Sequence, residues 1–220
     1  MRILSSLFVV AAVAAAMAAC TSTATVVSPT NGPTITQAVN EPYNGPKYRI
    51  AVSAFDYRAA QRSDIGQGMA DMLADALFNS GRFIVLEREH LNEVTQEQDL
   101  ANSGRFKKDT AAPIGQLEGA QLLIRGSITA FEPNCKGGSL IIVSGNEACV
   151  TLNLRIIDAA TGRVVNATTV NGTSAQNSIG LIFATGDLPV GLGAYSRTPM
   201  EQAIRNCIDA AVQHIVATKL

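Results

Sequence analysis

The sequence predicts an α/β protein built on a mixed sheet with packed helices, and three features carry that expectation. Tyr48 to Phe55 (YRIAVSAF) is an extended apolar run, followed by a loop and then a helical pattern, the element order of α/β folds. Val150, Leu152, Leu154 and Ile156 alternate with Thr151, Asn153 and Arg155, a period of two that buries one face of a strand. Asp158 to Gly162 then turns this strand into Arg163 to Val170, an antiparallel pair, so the sheet is mixed.

Residues 1–19 read as an export signal. Met1-Arg2 is followed by an uncharged run from Ile3 to Ala16 and by Met17-Ala18-Ala19-Cys20. Small residues directly before a cysteine resemble a lipobox, the site at which the signal is cut and Cys20 acylated; cleavage at an ordinary A-x-A site would instead leave Cys20 a plain thiol. The run is too short for a permanent spanning helix, which takes about 20 apolar residues. By resemblance to other lipoproteins, Thr21 in place of an Asp favours the outer membrane, with the folded part facing the periplasm. Residues 20–46, rich in Thr, Pro and Asn and without periodicity, form a tether or arm. Residues 47–220 make one periplasmic domain, since about 200 residues support one sizeable core.

Within that domain the first strand leads through a loop at Asp56 to Ser63 into a helix. Ser63 or Asp64 caps it, Ile65, Met69, Met72, Leu73, Ala76 and Leu77 recur at three and four residues, and Asn79-Ser80-Gly81 stops it. Phe83 to Leu86 is a short buried strand. Leu91 and Val94 mark a second, more exposed helix ending before Asn102-Ser103-Gly104. Ile114 to Gly119 allows one or two helical turns, and Gln121 to Phe131 reads as a longer strand. Thr198-Pro199-Met200-Glu201 is a capping box opening a closing helix, with Met200, Ala203, Ile204, Cys207, Ile208, Ala211, Val212 and Ile215 on one face. The glycine-rich Asn177 to Ala194 fits either a loop or a strand whose Ile179, Leu181 and Phe183 meet lipid or a neighbour.

Net charge is −1, with no long basic run, which excludes an electrostatic footprint for nucleic acid. In an oxidising compartment three cysteines remain beyond Cys20. Cys135 and Cys149 bracket a segment holding Gly137-Gly138 and Gly145-Asn146, turn formers that allow a hairpin and a Cys135–Cys149 disulfide. Cys207, on an apolar stripe, is expected to be a buried thiol.

Catalytic inventory is thin, and the expectation is a protein that is not an enzyme and holds no cofactor or metal. The two histidines, His90 and His214, fall on helices among polar neighbours and are expected at the surface. Zinc, redox and serine-hydrolase signatures are absent. Gly66-Gln67-Gly68 at a helix start resembles the opening of a phosphate loop, but the Lys-Ser/Thr that would follow is missing and Asp64 opposes an anion. Glu87, Glu89, Glu93, Glu97 and Asp99 with Arg88 read as a solvated face.

Taken in order, MADMLADALFNSGRFIVLEREHLNEV, AQLLIRGSITAFE, VTLNLRIIDAATGRVV and TPMEQAIRNCIDAAVQHIV resemble the blocks of the CsgG/HfaB family of outer-membrane lipoproteins, over most of Tyr48 to Val216. The resemblance implies a periplasmic α/β domain that self-associates and supports secretion or anchoring of curli, holdfast or another surface fibre or appendage. It implies Cys20 as anchor, the Thr21–Gly45 arm, and the capped helix with a neighbouring sheet edge as subunit interface. The family's two membrane hairpins map onto Phe131–Thr151 and Val165–Arg197, the first too short for two spanning strands of about 9–11 residues each, so the hairpins are expected to be shortened or absent. The loop at Asp56–Asp64 lacks the family's constriction elements. An alternative is a monomeric LpoB-like binding module that activates a peptidoglycan synthase, reaching the wall on a tether of about 25 residues, at most roughly 85 Å extended.

Overall fold

A computed structural model of the chain describes residues 43–57, 63–135, 147–175 and 187–218. Cys20, nearly all of the 20–46 arm and the middle of both mapped hairpins lie outside the described residues.

Among the described residues six strands and three α-helices form an α/β fold on a mixed sheet. β1 (Tyr48–Val52) is followed by the two-residue β2 (Asp56–Tyr57), α1 (Ser63–Asn79), β3 (Phe83–Val85) and α2 (Leu91–Leu100). Then come three long strands, β4 (Leu122–Glu132), β5 (Cys149–Asp158) and β6 (Val164–Thr173), a single 3-10 turn at Gly193–Tyr195, and α3 (Pro199–Ala217). The strand order is β3-β1-β4-β5-β6, with β2 beside β4. β1 runs parallel to β3 and β4, whereas β4, β5 and β6 form an antiparallel meander.

Burial follows from the strand period. Leu122, Ile124 and Ile128 of β4, Val150, Leu152, Leu154 and Ile156 of β5, and Val170 of β6 point to one face. α1 and α3 lie side by side on that face. Ile65, Met69, Leu73 and Leu77 supply the α1 stripe, and Met200, Ala203, Ile204, Cys207, Ile208, Ala211 and Ile215 the α3 stripe. Fully burying a side chain of this size contributes about 1.5–3 kcal/mol, so the two stripes bind both helices firmly to the sheet. Two glycines permit the close approach. A Cβ on Gly66 would overlap the Phe55 carbonyl, and one on Gly172 would overlap the α3 backbone at Ala203 and Cys207. Gly66 thus serves packing, and the resemblance to a phosphate loop has no further content.

Four expectations change. Ile114–Gly119 contains turns and no helix, because Gly115 takes a left-handed φ of 84° and Pro113 precedes it. The loop after β1 is interrupted by β2, which pairs Asp56 with Ser127 and Tyr57 with Ile128. The capping box is displaced by one residue: Glu201 Oε2 accepts from the Arg197 N–H at 2.5 Å, while the Thr198 hydroxyl donates to the Tyr195 carbonyl. His214 is buried, 3% exposed, because the α3 stripe runs on through Cys207 and Ala211 to reach it. His90 is exposed.

The ends of the meander are fixed as well. Cys135 and Cys149 are joined by a disulfide, with Cα atoms 5.8 Å apart, and the Cys135 N–H donates to the Glu147 carbonyl at 2.8 Å. The hairpin from β4 to β5 is thus clamped at its base, and residues 136–146 beyond the clamp are too few for two membrane-spanning strands. Of the second mapped hairpin, residues up to Thr173 belong to β6 in the sheet, and Leu188 and Leu192 enter the core. Phe131 contacts Tyr57 and Tyr195 at ring centroid distances of 5.8 and 5.0 Å, tying the 3-10 turn to the end of β4. Among the described residues no helix is long and apolar enough to cross a membrane.

Candidate functional site

The helices cover one face of the sheet, and the other presents alternating polar positions to solvent. Arg125, Ser127 and Thr129 of β4 stand beside Asn153 and Arg155 of β5 and Thr169 of β6 on this open face. Register decides its electrostatics: Arg125 lies directly opposite Arg155. Like charges in that position repel. Asp56 of β2 sits 3.6 Å from Arg125, one carboxylate for two guanidinium groups, and Arg155 has no partner among the described residues. Thr169 donates to Asn153 Oδ1 at 2.7 Å, which stiffens the rim. Asp56, Arg125, Ser127, Asn153, Arg155 and Ile157 line a cleft of about 480 Å³.

A second, smaller groove of about 210 Å³ runs between α1 and the end of β3, lined by Gln67, Asp71, Asp75, Phe78, Glu87 and Glu89 among others. Burial, and then repulsion from Asp75, Glu87 and Glu89, raises the Asp71 carboxyl above its ordinary value despite a 2.8 Å hydrogen bond from Gln67. Asp75 is raised by burial and by Glu87. Glu87 goes the other way, because its Oε1 accepts the backbone N–H groups of His90 and Glu89. Arg88, which also lines the groove, donates to the Glu118 carbonyl at 3.0 Å. Among the described residues no group of three His, Cys, Asp or Glu is arranged to hold a metal ion.

The third surface is α2. None of its residues is buried, and it makes no substantial contact with any strand or other helix. Glu93 and Glu97, four residues apart, give it a negative face shared by Leu100, which is 43% exposed, with Val94, 39% exposed, at its edge.

The residues singled out in the sequence distribute as follows. Cys20 lies outside the described residues. Cys135 and Cys149 form the clamp. Cys207 is fully buried, its thiol pushed up to about 12 by burial, which makes it inert. The α3 stripe docks on the sheet as its periodicity predicts, covered within the chain by β5, β6 and α1. His214 Nε2 lies 2.9 Å from Asn166 Oδ1, and burial lowers its pKa, so it packs as a neutral core imidazole. The opposed arginines were not foreseen, because no local pattern states which residue of β4 faces Arg155. The strand alternation of Arg155 with buried residues was the one available signal.

Comparison with known proteins follows this geometry. The family model described as "Curli production assembly/transport component CsgG" matches residues 31–220. The curli production assembly/transport component of Salmonella typhimurium is 26% identical over 121 residues, 50% of this chain and 44% of that protein. The chain thus spans less than half the length of this curated relative. Among solved structures, the PelC dodecamer from Paraburkholderia phytofirmans superposes with a TM-score of 0.44 at 14% identity, over 90% of this chain and 99% of that one. The LpoB C-terminal domain from Escherichia coli gives 0.32 at 14% identity, over 62% and 90%.

Proposed function

The chain belongs to the CsgG family, and from that membership we propose that it is a non-enzymatic, outer-membrane lipoprotein that self-associates and supports secretion, assembly or anchoring of a surface fibre or appendage. The observation that carries this reading is the family match over residues 31–220, which takes in the whole folded domain and part of the arm. The export segment ending in Cys20 supports the anchor, since acyl chains contribute about 0.8 kcal/mol per buried methylene and two chains hold stably. The domain then faces the periplasm at the end of its arm. Its work is done by surfaces, the open sheet face and α2 foremost, and no catalytic step is assigned to it.

The clamped hairpin bears on the form of the assembly. With Cys135 tied to Cys149, the chain between them is shorter than a pair of spanning strands requires, which supports a first family hairpin that does not insert. Support of a fibre at the inner leaflet, with no pore lined by that hairpin, is the form this geometry favours.

Acyl labelling of the full chain in a Gram-negative host, followed by density-gradient separation of the membranes, tests the proposal. Label on the native chain and its recovery at outer-membrane density are expected, with both lost in Cys20→Ala. An unlabelled native chain would sink the anchor. The detergent-extracted protein is expected to carry several copies in native mass measurement; a monomer would turn the reading toward a binding module for a cell-wall synthase.

A further inference from the structure

Among the described residues two surfaces of one chain lack a partner, and they are opposite in charge. The first is α2. A helix of ten residues is marginal in water unless an apolar face packs on something; the Leu91, Thr95 and Gln98 side of α2 is only partly covered, and among the described residues its Glu93, Glu97 and Leu100 side meets no strand or other long helix. From Glu87 to Gly104 the only Arg or Lys is Arg88, which lies before the helix and donates to the Glu118 carbonyl. The second is the open sheet face, where Arg125 and Arg155 are held side by side against their mutual repulsion with one carboxylate, Asp56, beside them.

The spacings agree. Residues directly opposite on antiparallel strands have Cβ atoms about 4.5–5.5 Å apart. Residues four apart on a helix, as Glu93 and Glu97 are, have Cβ atoms about 5–6 Å apart. The Cβ atoms that carry two carboxylates of α2 are therefore spaced like those that carry two guanidinium groups of the sheet, and the charges are opposite. Leu100 follows Glu97 by three residues on the same helical face, and Val94 lies next to it. On the sheet, Val164 is 53% exposed and pairs with Ile157 at the rim of the arginine cleft. A charged centre and an apolar fringe are present on both surfaces.

We propose that α2 of one copy lies across the open sheet face of the next, with Glu93 and Glu97 on Arg125 and Arg155. This rests on the self-association argued above and names its contact. Because the two surfaces differ, the contact is head-to-tail, and repeating it builds a closed ring or an open filament rather than an isolated dimer. The chain's own undescribed segments are poor rivals for the arginines. Between Thr21 and Pro42 the only acidic side chain is Glu41, and residues 58–62, 136–146 and 176–186 contain none. In α2 itself Glu93 has only His90 within reach, at 3.3 Å, and Glu97 has no partner among the described residues.

Charge reversal in the full, detergent-extracted chain tests the contact, with native mass as the readout and circular dichroism to confirm folding. The pair R125E/R155E and the pair E93K/E97K each place like charges together, and each is expected to weaken self-association by roughly a hundredfold or more. Mixed in equal amounts, the two variants present opposite charges at every contact, and the high-mass species is expected to return. Variants that assemble like the native chain, or a mixture that stays dissociated, would overturn the contact while leaving self-association standing. A native chain that is itself monomeric would overturn both.

Discussion

Asp209 offers a direct test of how α3 is seated. It lies on the long closing helix with no hydrogen bond or ion pair to its carboxylate among the described residues, and burial pushes its pKa from 3.8 to about 6. Roughly two pKa units at about 1.36 kcal/mol each correspond to ~3 kcal/mol; partial solvent contact lowers the expectation to ~1.5–3 kcal/mol. The sign follows from linkage. The folded pKa is raised, so the folded state holds the proton more tightly, and stability present below about pH 4 is lost as pH rises through about 6. Asp209→Asn removes the titration and keeps the shape. The variant is therefore expected to be more stable than the native chain at pH 8, with the advantage shrinking steadily toward pH 4.5. In urea, with a slope of about 2 kcal/mol per molar, the midpoint gap at pH 8 is about 1 M. Equal midpoints at pH 8, or a gap that does not change with pH, would show that Asp209 is solvated and that α3 is seated less deeply than described.

Two further outcomes follow from packing and covalent structure. Gly172→Ala places a methyl group against the α3 backbone at Ala203 and Cys207 and is expected to cost about 1–3 kcal/mol, whereas Gly193→Ala, with open space around it, is expected to be neutral; thermal melting of the two side by side checks this. Cys135→Ser breaks a disulfide closing a sequence separation of 14 and is expected to lower stability by about 3 kcal/mol, an effect that disappears when both proteins are unfolded under reducing conditions.

Elements whose signal is local were legible in the sequence. The strand at Val150–Ile156 and its return through Asp158–Gly162 follow from a period of two ended by turn residues, and the α1 and α3 stripes from recurrence at three and four. Errors arose where a local pattern competed with a contact. His214 has polar neighbours in sequence but sits on the buried side of α3, and the Thr198 hydroxyl found the Tyr195 carbonyl nearer than the helix N–H groups it was expected to cap.

By itself the sequence determined the α/β class, the helical stripes that face the sheet and the family to which the chain belongs, because periodicity and short motifs are properties of neighbouring residues. Only the tertiary structure decided that α2 rests on no strand or other long helix among the described residues, and that Arg125 lies opposite Arg155. Each of those depends on which strand lies beside which and in what register, and register is set by the summed packing of the whole sheet.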